Sequence, residues 1–291
     1  MSQATLLSND TLVIPVVSTR ITLLLLTGVA SHVSLSPPNA PAPPKECLHS
    51  RTLFERGVRW VTFCSKMMIW TAVVTDAYAT YHAYQLQRSH YHHEEPLLFS
   101  YDIQPPPNTT VHTFPLDSVH PTPPNALHPS LTPLFLLGVL SVFIGASLRL
   151  WCFRTLGRLF TFELTIRPSH TLVTSGPYSL VRHPSYTGIY LTLLGASVVA
   201  FAPGSLLREY WALPLSRCHR AVFPSLSGCG WSHTAVLLML LVAFWFAKVG
   251  HALRSMHRRM EVEDGELRRV FGEVWEDYAE QVPWKLLPGV F

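Results

Sequence analysis

Charge is what this chain has least of. Only 14% of its 291 residues are Asp, Glu, Lys or Arg, while 48% are hydrophobic; a soluble domain carries about 25% charged residues. The mean hydropathy is positive. Together these values argue against an ordinary soluble domain and for a membrane protein. The net charge is +4 and no run of Lys or Arg stands out, so there is no footprint for nucleic acid. Cys47, Cys64, Cys152, Cys218 and Cys229 are dispersed and none forms a CxxC pair. That pattern suggests neither a zinc site nor a disulfide framework. No GxGxxG follows a strand-like run, so the Gly-rich dinucleotide fingerprint is missing too.

Long apolar stretches, by contrast, are plentiful. Five reach the roughly 20 residues that a span needs: Thr11–Leu35, Val58–Tyr84, Leu131–Trp151, Thr187–Leu207 and Trp231–Leu253. The first is the weakest because Arg20 lies inside it, a costly position near a bilayer centre. It lacks the basic start and small-residue cleavage site of a signal peptide, and we read it as a retained span. Lys45, Arg51 and Arg56, then Arg154, Arg158, Arg167 and Arg182, then Arg254, Arg258, Arg259, Arg268, Arg269 and Lys285 fall on one side when spans alternate. The positive-inside rule puts that side, and the carboxyl terminus, in the cytosol. Arg208, Arg217 and Arg220 dissent. The loop from Gln85 to Ser130 falls on the lumenal side with Arg88 as its only Lys or Arg. Sequons at Asn9 and Asn108 would both be lumenal.

Pro37, Pro38, Pro41, Pro43 and Pro44 make the first cytosolic loop a non-helical linker. The lumenal loop is also proline-rich. His90, His92, His93 and Glu94 suggest metal ligands, but a solvated His-rich loop edge explains them more simply, and no metal site is assigned. The resulting division is 1–57 for the first span and linker, 58–130 for the second span and lumenal loop, and 131–291 for a carboxyl-terminal core. That core holds a loop over 163–188 and a helix over 254–281.

Two elements of the core carry chemistry. The loop segment HTLVTSGPYSLVRHPSYTG, residues 170–188, packs Gly176, Pro177, Tyr178, Arg182, His183, Pro184, Tyr186 and Gly188 between two apolar spans. Glycine and proline fix a backbone path there, and His and Tyr supply directional hydrogen bonds. In the helix, a period near 100° puts Met260, Leu267, Phe271, Val274 and Tyr278 in one apolar stripe. Glu266, Glu273, Asp277 and Glu280 point away from it. Glu263 and Asp264 fall inside it, where a charge requires a partner. Arg259 precedes Glu263 at i,i+4. An Arg–Glu brace is one explanation; an acid pair and a guanidinium receiving a charged ligand is the other.

The blocks LRLWCFRTLG (148–157), HTLVTSGPYSLVRHPSYTG and RRMEVEDGELRRVFGEVWEDY (258–278) resemble those of the isoprenylcysteine carboxyl methyltransferase family, over about Leu131–Pro288. The resemblance implies an all-α, polytopic membrane protein of about five transmembrane helices plus a cytosolic carboxyl-terminal amphipathic helix. It implies S-adenosyl-L-methionine as cofactor, held between the RHPxYxG loop and the carboxyl-terminal helix. His170, Thr171, Leu172 and Val173 would line one side of the cofactor, and Tyr178, His183, Pro184, Ser185 and Tyr186 another. Glu263 would take the α-ammonium and Arg259 the substrate carboxylate, with Arg182 and Asp264 in support. Glu163 stands where relatives are expected to carry an amide, and Asp264 replaces the more usual second Glu.

By the same resemblance the substrates are prenylated CaaX proteins after proteolysis, methylated at the cysteine carboxylate. The address is the endoplasmic reticulum membrane, and the lipid bilayer is the medium from which the prenyl tail arrives. Phospholipid amine methyltransferases share RHPxYxG and the acid pair, so an amine N-methyltransferase is the alternative. A catalytically silent membrane scaffold is a third reading. The HTLVTSG lead-in and Arg259 favour the prenylcysteine branch.

Overall fold

The computed structural model describes residues 3–40, 53–98, 130–161, 171–209 and 233–290. Among them helices dominate and no strand occurs. The helices are α1 (Gln3–Ser34), α2 (Leu53–Leu98), α3 (Pro133–Leu156), α4 (Pro184–Phe201), α5 (His233–Phe271) and α6 (Glu273–Gln281). Short 3-10 turns occupy Gly157–Leu159 and Gly176–Ser179.

Among the described residues, four segments are long and apolar enough to cross a membrane: Ile14–Ser34, Pro133–Leu159, Pro184–Phe201 and Val236–Phe271. Leu137, Leu140 and Ile144 on α3 and Leu237, Leu240 and Phe244 on α5 are exposed, as a lipid-facing surface requires and a soluble one rarely tolerates. The chain is a multi-pass membrane protein. The second expected span is less apolar than these because α2 carries Arg59, Lys66 and Asp76 within it. Two of those charges have partners on α1 or just after it: Lys66 donates to Ser36 Oγ at 3.2 Å and Asp76 meets Arg20 at 3.3 Å.

The contacts also fix direction. Arg20 of α1 reaches the residues just before α3, and Ser34 reaches Arg149 near its end, so α1 and α3 run parallel. Asp76 of α2 meets Arg20 while Lys66 meets Ser36, so α2 runs back against α1. The chain has to return between two parallel helices, and α2 runs in the direction of that return.

Arg20 is fully buried. It donates to the Ser130 carbonyl at 2.6 Å and the Gly204 carbonyl at 2.9 Å, pairs with Asp76, and lies 4.7 Å from the Phe135 ring centroid. The charge that weakened the first span on sequence grounds is thus offset by a dedicated set of partners.

The α3–α4 pair sets the position of the candidate loop. A Cβ at Gly145 would lie 2.7 Å from the Gly188 carbonyl, and one at Gly188 would lie 2.6 Å from Arg149 Cγ. Absence of side chains at these positions lets the two backbones touch. Pro184 starts α4 at its first turn, three residues before the expected Thr187, because a proline at that position loses no hydrogen bond and presets φ. The helix ends at Phe201 rather than Leu207 since Pro203 disfavours helical geometry in the residue before it.

Three further expectations change. Helix α2 continues through Leu98, beyond the expected loop start at Gln85. The fifth span and the carboxyl-terminal helix form one continuous rod, since residues 251–264 contain no helix-stopping proline. The rod then breaks at Gly272, whose φ of 55° lies in the left-handed region. That break shifts the apolar face: Val274 is exposed at 62%, and Trp275 joins Tyr278 and Val282 in a small core with Leu172, Leu267 and Phe271. The helix expected over 254–281 is therefore two helices. The side chains of His90, His92, His93 and Glu94, and the sequon at Asn108, lie outside the described residues.

Candidate active site

Glu263 and Asp264 are adjacent on α5, and a helical step of 100° sends their carboxylates to different places. Asp264 is buried. It accepts from His183 Nε2 at 2.9 Å and pairs with Arg182 Nη1 at 3.3 Å and Lys285 Nζ at 3.9 Å. Three donors from two other segments thus converge on one carboxylate. Glu263, with a side chain 29% exposed, accepts from the Tyr186 hydroxyl at 2.8 Å and lies 3.9 Å from His183 Nδ1. The His183 ring therefore stands between the two acids.

The loop is pinned from outside as well. The segment after α6 lies along it: Arg182 N donates to the Trp284 carbonyl and His183 N to the Lys285 carbonyl, both at 2.9 Å. Arg182 Nη2 donates to the Pro283 carbonyl at 3.2 Å, and Thr187 Oγ1 to the Leu286 carbonyl at 2.8 Å. The Tyr278 hydroxyl donates to the Tyr178 carbonyl at 2.7 Å. Arg182 also stacks over Trp275, 5.6 Å from the ring centroid.

A cavity of about 190 Å³ opens between this loop, α5, α3 and α2. Thr171, Leu172, Val173, Tyr178, Arg182, His183, Ser185, Tyr186, Arg259 and Glu263 all line it. Leu35, Ile189, Leu193, Ala252 and Met256 give it an apolar inner end. Pro184 and Asp264 are not among the lining residues; the first starts α4 and the second anchors His183. Glu163 and His170 lie outside the described residues.

One charged lining residue was not singled out from the sequence. Arg149 of α3 is almost fully buried. It donates to the Ser34 carbonyl at 2.9 Å and to the Ser185 hydroxyl, and its guanidinium packs over Phe153 and Phe160. A single Arg in an otherwise apolar span was the available signal.

The electrostatics follow from burial. The Tyr178 hydroxyl is pushed well above the ordinary phenol range by burial first, then by Cys152 and the neighbouring Glu263 carboxylate. It stays a neutral donor at any physiological pH. Tyr278 is pushed up to about 12, chiefly by burial, with Arg182 opposing. The cavity thus offers the three guanidiniums of Arg149, Arg182 and Arg259, one carboxylate and neutral phenols above apolar walls. An ammonium group fits Glu263 with Tyr186, and a carboxylate fits the planar donor fork of Arg259 or Arg149.

Comparison with known proteins finds relatives over this part of the chain. The model of the "Isoprenylcysteine carboxyl methyltransferase (ICMT) family" matches residues 136–216, which run from α3 through the loop and α4. The protein-S-isoprenylcysteine O-methyltransferase B of Arabidopsis thaliana is 27% identical over 148 residues, covering 50% of this chain and 55% of the relative. A probable protein-S-isoprenylcysteine O-methyltransferase of Oryza sativa subsp. indica is 28% identical over 148 residues, 50% of this chain and 57% of the relative. The cobalt-zinc-cadmium resistance protein CzcN of Cupriavidus metallidurans is 44% identical over a shorter 66 residues, 22% of this chain and 27% of the relative. The chain spans little more than half the length of the first two relatives. No solved structure matches it. The resemblance read from the sequence thus stands, and the segment that builds the loop wall of the cavity is the one matched to the isoprenylcysteine carboxyl methyltransferase family.

Proposed function

We propose that the protein methylates the terminal carboxylate of prenylated cysteine in CaaX-processed proteins, using S-adenosyl-L-methionine. The observation that carries this reading is the meeting, in one cavity, of the Arg259 guanidinium, the Glu263–Tyr186 pair and an apolar inner end. S-adenosyl-L-methionine supplies a methyl group on a positively charged sulfur that leaves readily. Glu263, with Tyr186, receives its ammonium group, while Thr171, Leu172, Val173, Tyr178, His183 and Ser185 form the surrounding wall. Arg259 receives the substrate carboxylate through its planar donor fork.

A carboxylate is ionised at neutral pH, so no side chain has to remove a proton. The task left to the residues is to bind, orient and exclude water. Positioning of this kind supplies roughly 7–11 kcal/mol of barrier reduction. An amine nucleophile would need a base, and an anion clamp at Arg259 would serve it poorly. The prenyl tail enters from the bilayer between helices and lies against Leu35, Ile189, Ala252 and Met256.

In this reading the chain crosses the endoplasmic reticulum membrane five times, with α2 as the return crossing and the carboxyl terminus cytosolic. The direction of α2 against α1 and α3 supports the count. Membranes carrying the protein, incubated with labelled S-adenosyl-L-methionine and N-acetyl-farnesylcysteine, should yield base-labile methyl ester. Label on phosphatidylethanolamine alone would establish the amine alternative instead. Arg259→Ala should keep cofactor binding and lose ester formation; equal loss of both would make Arg259 structural.

A further inference from the structure

A second cavity, of about 430 Å³, lies deeper in the same bundle and is almost wholly apolar. It abuts the first along three helices. On α2 the first cavity's lining ends at Ser65 and the second's starts at Met67. On α4 the change falls between Leu193 and Ala196, and on α5 between Ala252 and Trp245. At this boundary two side chains of α5 make polar bonds to neighbouring helices. Lys248 Nζ donates to Ser65 Oγ at 2.7 Å, and Trp245 Nε1 donates to Ser197 Oγ at 2.9 Å. Lys248 Nζ also lies 4.0 Å from the Trp245 ring centroid, a cation–π contact that strengthens where water is excluded.

Trp245 is therefore held at both ends. Its indole N–H is tied to α4 through Ser197, and its ring face is capped by a lysine that is itself tied to α2. Trp245 is 8% exposed. Trp245 lines the second cavity and is its lining residue on α5 nearest to the first; a large, rigid side chain there acts as a wall, and the polar bonds are what keep the wall from turning aside.

From these contacts we infer that Trp245, locked by Ser197 and Lys248, sets the longest isoprenoid tail that the site accepts. The inference rests on the methyltransferase reading above. From Arg259, which takes the substrate carboxylate, to Trp245 the helix rises about 21 Å, and from Trp245 to Leu238 about 10 Å more. A cysteine that carries an extended farnesyl chain of three isoprene units fits the first distance. The fourth unit of a geranylgeranyl chain has to pass the plane of Trp245 into the second cavity. The protein consequently prefers farnesylcysteine, and the second cavity is the space that a longer tail gains once the wall is removed.

The test compares kcat/KM for N-acetyl-farnesylcysteine and N-acetyl-geranylgeranylcysteine in membranes. The wild type should favour farnesyl by about tenfold or more, the scale on which an apolar pocket rejects extra carbon. Trp245→Ala should bring the two substrates within about threefold, mainly through faster geranylgeranyl turnover. Trp245→Phe should retain most of the preference. Ser197→Ala, which frees the indole without opening a large void, should shift the ratio in the same direction by less.

A second readout needs no turnover. Isoprenoid cysteine analogues with a diazirine on the terminal unit should label the Val249 region, on the near side of Trp245, with farnesyl in the wild type. The geranylgeranyl analogue should label the Leu238 region in Trp245→Ala. An unchanged ratio in active Trp245→Ala and Ser197→Ala, a wild type that prefers geranylgeranyl, or farnesyl labelling at Leu238 in the wild type overturns the wall. Absence of labelling at both positions overturns it as well. Absence of methyl ester from both substrates overturns the transferase reading instead, and the labelling pattern then decides the wall by itself.

Discussion

Two neighbouring carboxylates divide the work at the candidate site, and a single rotation about the helix axis decides which does what. Asp264 collects His183, Arg182 and Lys285 and so holds the loop to α5. Glu263 faces the cavity with the Tyr186 hydroxyl on it. Their substitutions should separate accordingly. Asp264→Asn keeps one acceptor for His183 but removes the charge that Arg182 and Lys285 share, and should cost about 1–3 kcal/mol of stability. Thermal unfolding in detergent would register it as a lower midpoint. Glu263→Gln should leave that midpoint nearly unchanged and weaken S-adenosyl-L-methionine binding by tenfold or more, on the scale of a lost charge-assisted hydrogen bond of about 1.5–3 kcal/mol. If titration calorimetry finds equal affinity for wild type and Glu263→Gln, the ammonium does not sit on Glu263. The misfit of both acids with an apolar stripe was legible in the sequence. Their separate destinations were not, because they depend on where the loop and Lys285 lie around the helix. Arg149 was missed for the same reason: periodicity within one span does not reveal which other helix ends nearby.

At the level of elements, local rules and long-range ones differ in how well the sequence exposed them. The apolar lengths of α1, α3 and α4, the proline at the start of α4 and the loop between α3 and α4 all follow from nearby residues. The continuity of α5 and its stop at Gly272 also have local causes, but they were obscured by treating the end of the apolar run as the end of the helix. The strap over Pro283–Leu286 had no local sign at all, since backbone pairing across 100 residues leaves no pattern in composition. It makes two claims testable. Ending the chain after Val282 removes every strap hydrogen bond to Arg182, His183 and Thr187. Helical circular dichroism should be retained while cofactor binding is lost; full binding by the shortened chain would show the strap to be dispensable. The second concerns Tyr278, which ties α6 to the loop. Its phenol is pushed up to about 12 in the fold by burial, above the ordinary value near 10. The contribution of a group raised in this way is complete below the ordinary value and is lost as pH climbs through the folded one. Docking of α6 should therefore hold up to about pH 10 and fail towards pH 12. Tyrosinate absorbance that rises in step with loss of near-ultraviolet dichroism, and a Tyr278→Phe variant without that coupling, would bear this out. A transition complete below pH 9 would assign it to another group.

Over the whole molecule, two arginine-centred knots sit at opposite ends of an apolar bundle. Arg149 with Ser34 and Ser185 lies beside the candidate site, and Arg20 with Asp76 lies at the far end, about 21 Å along α1 from Ser34. The far knot is remote from the chemistry, so its role is to fix how α1, α2 and the ends of α3 and α4 meet. A buried ion pair adds little over a well-packed apolar substitute, yet loss of one partner leaves the other charge stranded at about 3–5 kcal/mol. Arg20→Leu and Asp76→Leu should each lower the unfolding midpoint strongly, and the double variant should recover part of the loss. Recovery should stop short of completion. Arg20 also satisfies the carbonyls of Ser130 and Gly204, and Asp76 the amide of Leu206, and leucines leave all three without those partners. Additive losses in the double variant would mean that these backbone contacts, rather than the charge pair, hold the far end together. Prenylcysteine binding in the least destabilised variant should match the wild type, because Arg20 does not line the cavity of the candidate site. A fall in affinity without a fall in midpoint would instead show that the packing of α1 against α2 reaches through the bundle to the site.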